Sequence, residues 1–355
     1  MQDSQPCKAR KIDHAGNSTT TIPLKLTFEI LSRLPAISVL GFRSVSKLWC
    51  SIIHSKDFVD AFLTRSRTRP RLLFTVEDLD SRFIFSSPEH DKKYGDKSST
   101  VVARHDMTIS DLGYNYNNRC APYGPYYITS PPVNGLVCCT RGSSIAICNP
   151  TTRQLMTLPR VRSKGGAAHA RLGYDPVEDE YKVLIENPTG ESYTDVEGGV
   201  CINGAIYYGV GHTKKIARFD LRSEKMIWTF INHQGKFGGM ECDYLYNEMR
   251  VWIQEKEELW NNMACAVPCE WGALFREKRP SCPGEIHTGE VMLVSNQLQS
   301  SKPLSVFYCD VMRETCRSAQ VEGIADYGFR RIHGIGMHDH DVLCFPGYIE
   351  NIMFF

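Results

Sequence analysis

The sequence predicts a chain in two parts, a multidomain α plus all-β architecture in which a small helical module precedes a large propeller-like β-domain. Three observations predict it. Apolar residues recur at helical spacing from about residue 23 to 62. After Pro70 the pattern changes to short β-rich runs broken by Gly, Asn, Asp and Pro. A degenerate two-strand unit led by Gly then recurs along the second part.

Composition sets the frame. The 355 residues hold 42% hydrophobic and 10% aromatic side chains, enough for a packed interior. A net charge of +1 gives the whole molecule no strong field toward nucleic acid or membrane. The charge is uneven, with 12 Lys/Arg against 5 Asp/Glu in residues 1–75 and 29 against 35 in the rest. The 14 cysteines show no repeated disulfide spacing, and the adjacent Cys138 and Cys139 sit in an apolar run, so they read as buried thiols of a reducing compartment. No apolar stretch approaches the ~18 residues a membrane span needs, and residues 1–17 are polar where a secretory signal is apolar. The expected location is the cytosol or nucleus.

Residues 1–18 read as a disordered tail. Pro23 fits the first turn of a helix whose stripe is Leu24, Phe28 and Leu31, widened by Ile30 and Leu34. Pro35 interrupts that stripe and opens a second helix with Val39, Leu40, Phe42 and Val45, in which Gly41 is a poor helix former. Leu48, Trp49, Ile52 and Ile53 mark a third helix. Phe58 and Phe62, four apart after Ser55, mark a fourth. The helical module is expected over 19–65 and the β-domain over 66–355, the latter folding by itself.

Within the β-domain the runs are Leu72–Val76, Leu136–Cys139, Ile145–Cys148, Tyr181–Ile185, Ile206–Gly209, Val291–Val294 and Val306–Cys309, while Asp111–Tyr127 lacks periodicity and reads as loop. Asn134-Gly135, Asn203-Gly204 and Gly289 each lead a strand. In each unit a second strand ends in a polar turn opened by Asn149, Asp220 or Asp310, whose side chain can bond the backbone of its own turn. At ~40–50 residues per blade the second part has room for about six blades.

The ordered series Pro23, Glu29-Ile30-Leu31, Leu34-Pro35, Val45-Ser46-Lys47, Trp49 and Ile52 closely resembles a plant F-box. The remainder resembles the F-box-associated domain (type 3-like) of the large plant family. The resemblance rests on Arg69–Phe74, Val133-Asn134-Gly135-Leu136, Cys148–Gln154, Leu158-Pro159, Leu172–Pro176, Glu180–Leu184, Thr288–Glu290, Val321–Ile324 and Glu350-Asn351-Ile352. It implies a substrate-receptor subunit of an SCF-type cullin–RING ubiquitin ligase that performs no chemistry itself. It implies docking of a Skp-family adaptor through Pro23, Leu24, Ile30, Leu31, Leu34, Pro35, Val45 and Trp49, with a target protein held by the β-domain. Lys25, Ile37 and Ser44 depart from the family's usual acidic, basic and Cys residues, which bears on the adaptor contact. Physics points the same way, since ~45 residues bury little surface alone and leave apolar side chains for a partner.

Other motifs are weighed against plainer readings. Arg65, Arg67, Arg69 and Arg71 alternate in a way that could bind phosphate, but lack interleaved aromatics and read as a solvated linker. Cys265, Cys269, Cys282 and His287 match no zinc-finger spacing. His338-x-His340 could face one side of a strand, yet its Gly-rich setting reads as an exposed turn. Gly235–Gly239 is an incomplete phosphate loop, and no nucleophile elbow is present. No cofactor, metal, nucleic acid or membrane is expected. An alternative reading is a ligand- or glycan-binding propeller with a vestigial F-box, using Tyr114–Tyr127 and Trp228, Trp252, Trp260 and Trp271 as stacking surfaces; a copper-type propeller enzyme is a third.

Overall fold

Prolines and serines start the helices where the sequence places them. The computed structural model describes residues 22–79, 81–89, 98–110, 126–128, 130–142, 144–159, 169–186, 200–202, 204–210, 215–220, 225–227, 231–233, 236–243, 248–256, 259–268, 271, 280–300 and 302–355. Helix α1 (Leu24–Arg33) begins after Pro23, and α2 (Ala36–Phe42) begins after Pro35, which holds Leu34 extended and so ends α1. Ser46 caps α3 (Lys47–His54) by accepting from Trp49 N at 3.1 Å, and Ser55 caps α4 (Lys56–Ser66) by accepting from Phe58 N at 3.3 Å. Leu31, Ala36, Val39, Ile53, Phe58 and Phe62 form the helical core, with Phe28 edge-on to Phe58 at 5.1 Å.

Among the described residues the β-domain comprises six sheets in chain order, antiparallel but for one edge strand. The first holds β1 (Arg71–Asp78), β2 (Ser81–Pro88) and β4 (Arg104–Ser110), while β3 (Ser98–Val102) leaves for another sheet. The second is β5 (Tyr127–Ile128), β6 (Val137–Arg141), β7 (Ser144–Asn149) and β8 (Gln154–Thr157). The third is the hairpin β9 (His169–Asp175) and β10 (Glu180–Glu186). The fourth is β11 (Val200–Ile202), β12 (Ala205–Val210), β13 (Lys215–Asp220) and β14 (Lys225–Ile227). The fifth is β15 (Ile231–His233), β16 (Lys236–Asp243), β17 (Glu248–Lys256) and β18 (Leu259–Ala266). The sixth is β19 (Pro280–Glu285), β20 (Val291–Ser295), β22 (Leu304–Asp310) and β23 (Thr315–Glu322), with β3 parallel to β23 on its edge. The short β21 (Gln297–Leu298) and β24 (His340–Tyr348), the latter following helix α5 (Tyr327–His333), return to the first sheet, where β24 pairs with β1. The ring is thus stitched twice, by β24 on β1 and by β3 on β23.

Cores lie between neighbouring sheets. Leu72, Phe74 and Val76 of β1 face sheet six, packing with Met292, Val306 and Tyr308, while Leu73 faces sheet two with Val137 and Cys139. Cys138, one residue along β6, faces sheet three with Ala170 and Leu172. Alternation along a strand sends successive side chains to opposite faces, and here both faces are buried. That is why the strands read as continuous apolar runs rather than alternating ones.

Among the described residues Asx turns stand at Asn149 and Asp310 as expected and also at Asp175, while residues 221–224 of the turn expected at Asp220 lie outside the described residues. Asn149 Oδ1 accepts from Thr151 N (3.1 Å), Asp175 Oδ1 from Val177 N (2.9 Å) and Asp310 Oδ1 from Arg313 N (3.0 Å). Four residues after each Asx, Arg153, Asp179 and Glu314 take left-handed φ of 60°, 56° and 52°. Two cysteine expectations are corrected. Cys309 and Cys316, directly opposed on β22 and β23, are joined as a disulfide where free thiols were expected. Cys265, read as loop, is buried in strand β18. Residues 111–125 of the expected loop lie outside the described residues, and Tyr127 opens β5.

The expectation that the helices and the β-domain have separate cores fails at one place. Beyond β24, residues 349–355 cross to the helices, and Ile352 is fully buried in the helical core. Glu350 Oε2 accepts from Ala36 N at 3.2 Å, 314 residues away in sequence. Arg43 lies over the Phe354 ring at 3.9 Å and His54 stacks on it at 4.9 Å. On the other side, Asn149 Nδ2 donates to Asn351 O and Met353 O, and Asn351 Nδ2 donates to Asn134 O. Gly135 (φ +80°) is held by both conformation and space, because a Cβ there would sit 2.3 Å from Ile349 O. Ile352→Ala is expected to lower unfolding stability by about 2–4 kcal/mol through an unfilled cavity. The fragment 66–355 is expected to unfold at a lower denaturant midpoint than the full chain. Equal midpoints for both would show that residues 349–355 couple nothing.

Candidate functional site

A module this small leaves apolar surface uncovered, and the question is where. Nineteen large apolar side chains are exposed among the described residues, and seven of them fall within residues 22–48: Ile22, Leu24, Leu26, Ile30, Ile37, Val45 and Leu48. That concentration makes helices α1 and α2, with the turn into α3, the leading candidate for a docking face.

The eight residues expected there from the sequence divide into three groups. Pro23, Leu24 (58% exposed), Ile30, Pro35 and Val45 (60%) are exposed. Leu34 and Trp49 are half-buried against the helical core, Trp49 edge-on to Phe42 at 5.0 Å. Leu31 is 1% exposed and belongs to that core, so its side chain is not on the face. The reason is helical geometry. Leu24 and Leu31 lie seven apart, nominally one stripe, but Leu31 packs in the core with Phe58 and Phe62 of α4 and Leu24 does not. Ile22, Leu26 and Leu48 are exposed beside them without having been expected there, since a stripe count assigns apolar residues inward and carries no sign of which face α4 covers. The three departures from the family pattern, Lys25, Ile37 and Ser44, are all exposed and therefore lie where they can alter a contact rather than the fold.

Electrostatically the face is apolar and basic. Lys25 and Lys47 are exposed on it. Its one carboxylate, Glu29, takes Arg65 Nη2 (2.7 Å) and Arg33 Nε (2.9 Å), and these bonds, that to Arg65 foremost, hold its pKa below the ordinary carboxylate value. Such a surface suits a partner that is apolar at its centre and acidic around it.

The module is fixed to the ring by more than residues 349–355. The alternating arginines, read as a solvated linker, each take a defined partner. Arg67 Nη2 crosses to the ring, donating to Asn134 Oδ1 (3.0 Å), while Arg65 holds Glu29 and Arg69 Nη1 holds Arg33 O (3.0 Å) on the helical side and Arg71 Nε holds Ser86 Oγ (3.0 Å) within the first sheet. Lys56 of α4 pairs with Asp179 in the β9–β10 turn, which also accepts from Tyr174 Oη. Behind them Arg104 bridges Asp106 and Glu350 (2.6 and 2.8 Å). The set Cys265, Cys269, Cys282 and His287 is not brought together as a site where it is described: Cys265 packs between sheets five and six, and His287 bonds Glu89, while Cys269 lies outside the described residues. Trp271 is buried against Phe307 and offers no stacking surface; Trp228, the Tyr114–Gly124 stretch and the side chains of Trp252 and Trp260 are outside the described set. No helix among the described residues is long and apolar enough to cross a membrane.

Residues 20–60 match the family model described as the F-box domain, and residues 71–192 and 185–349 match the model described as the F-box associated beta propeller domain. The Arabidopsis thaliana F-box protein At1g30790 is 31% identical over 418 residues, covering 98% of this chain and all of that protein. A second Arabidopsis thaliana relative, F-box protein At2g15640, is 30% identical and covers 86% of this chain and 89% of its own length.

The burial pattern separates core from face in a way stability measurements can check. Leu31→Ala is expected to cost about 2–5 kcal/mol of unfolding free energy. Leu24→Ala, on the exposed face, is expected to stay within about 0.5 kcal/mol of wild type. A Leu24→Ala loss as large as that of Leu31→Ala would mean that this face is covered.

Proposed function

Because the chain belongs to the F-box proteins that carry an F-box associated beta propeller domain, we propose that it is the substrate-receptor subunit of an SCF-type cullin–RING ubiquitin ligase. In this reading the exposed face of α1 and α2 docks a Skp-family adaptor, the adaptor bridges to the cullin, and the β-domain holds a target protein for ubiquitination. The receptor supplies position and no bond-making group. Working with such a ligase would place it in the cytosol or nucleus.

The observation that carries the reading is the clustering of Leu24, Ile30, Ile37, Val45 and Leu48 as exposed side chains on a module that is otherwise well packed. Exposed apolar area on a folded module costs solubility, and burial against a partner recovers about 25 cal/mol for each Å² covered. Rigid attachment to the β-domain supports the same reading, since a receptor acts by holding a target at a set distance from the transferring enzyme.

Leu24→Ala combined with Pro35→Ala is expected to abolish co-purification with the adaptor while thermal unfolding stays near wild type. Both side chains are exposed, and truncating two hot-spot residues should weaken binding by at least about 2 kcal/mol, roughly 30-fold. Wild-type adaptor capture by the double variant would remove the docking assignment. Absence of adaptor capture by the wild-type chain itself would favour the ligand-binding alternative.

A further inference from the structure

The end of β1 farthest from the helices brings together three groups that the sequence keeps apart. β1 starts at Arg71 beside the helical module and ends at Asp78, about 23 Å along the strand at ~3.3 Å per residue. There Asp78 meets His338 and His340, which lead into β24, and one donor atom from each lies within 4.8 Å of the other two. The Asp78 side chain is 5% exposed. Its Oδ2 accepts from Gly336 N, but its Oδ1 has no hydrogen-bond donor and lies 3.6 Å from His338 Nε2.

His340, itself buried, has both ring nitrogens on backbone carbonyls. Its Nδ1 lies 3.0 Å from Glu77 O, a contact that an Nδ1–H satisfies and that leaves the Nε2 lone pair pointing the other way. Nε2 is 2.9 Å from Gly336 O, an oxygen already accepting from Arg330 Nη1 at 3.1 Å. With Nε2 unprotonated, two acceptors face each other there, and a cation beside them relieves the conflict. Gly336 is needed for the approach, because a Cβ would come within 2.9 Å of the His338 ring and 3.1 Å of Asp78 Oδ2.

The geometry points to a divalent transition-metal site of zinc class formed by Asp78, His338 and His340, clasping the strand that closes the ring. Two imidazoles and one carboxylate suit Zn²⁺ and its neighbours rather than Mg²⁺ or Ca²⁺. Ligand atoms around an ion at ~2.0–2.2 Å stand about 3.3 Å apart, so the three must draw in by about 1 Å. His338, 63% exposed on its loop, has the freedom to do so. The other charged groups near the site are Arg330, which also donates to His338 O at 2.9 Å and offsets part of the Asp78 charge, and Asp339. This partial offset predicts micromolar rather than picomolar binding.

The test is titration of the untagged, metal-stripped full chain with Co²⁺ and Zn²⁺. Expected are one equivalent of Co²⁺ with d–d absorption and no thiolate charge-transfer band, displacement by Zn²⁺, and a rise in Tm of about 3 °C or more at zinc a hundredfold above Kd. His338→Ala, at an exposed position, should keep the metal-free Tm and lose the cobalt spectrum and the shift, and Asp78→Asn should lose both binding signals. No binding by wild type would overturn the site. A thiolate band would place the metal on cysteines, and retention of binding by His338→Ala would equally overturn it.

Discussion

The structure depends on one short crossing, Glu350-Asn351-Ile352, in which three adjacent side chains serve three different neighbours. Glu350 accepts from the first residue of α2 and pairs with Arg104 of the first sheet. Asn351 bonds the Asn134 carbonyl at the turn before β6. Ile352 completes the helical core. Two of the three contacts are polar and buried, which is costly unless every group is matched, so the crossing tolerates few alternative registers. Asn149 adds to this by serving two structures at once: its Oδ1 closes its own turn while its Nδ2 holds the carbonyls of Asn351 and Met353. An Asn→Asp exchange there would keep the turn and lose both donors.

This arrangement makes helical module and ring one mechanical unit. A seven-residue crossing alone could hinge, but Lys56–Asp179, Arg67–Asn134 and Arg69–Arg33 O add contacts around it. Exposed ion pairs such as Lys56–Asp179 contribute little each. The stiffness therefore comes mainly from Ile352 and the half-buried Glu350–Arg104 pair, with the outer pairs limiting rotation. A face at one end of the ring and any surface at the other then keep a fixed separation, set by strand length rather than by linker entropy.

Much of this was legible in the sequence, and the misses have physical reasons. The helix starts could be read because Pro23, Pro35 and Ser55 act locally. The Asx turns could be read because Asn149 and Asp310 bond their own backbone within three residues. The both-faces burial explains runs such as Leu72–Val76 that no alternation rule would have placed. What the sequence hid is contact across long separation. Nothing local marks Ile352 as a helical-core residue, Leu31 as buried when Leu24 is not, or Asp78 as a neighbour of His340. His338-x-His340 read as an exposed turn for the same reason, and only half of that reading holds, since His340 is buried.

These long separations also constrain how the chain reaches its structure. The helices are synthesised first, yet their core lacks Ile352 until some 290 residues later, and the ring lacks its closing strand until β24 is made. Both events use the same stretch, 340–355. Loop closure over that span is entropically costly and slow, so the helical module must persist with an open cavity meanwhile. Capped helices and the Phe28–Phe58 contact are local and can sustain it. A chain whose ring is unclosed would then also carry an incompletely packed α1–α2 face. The two halves are coupled in folding by the residues that couple them in space, so damage to ring closure should be felt at the α1–α2 face.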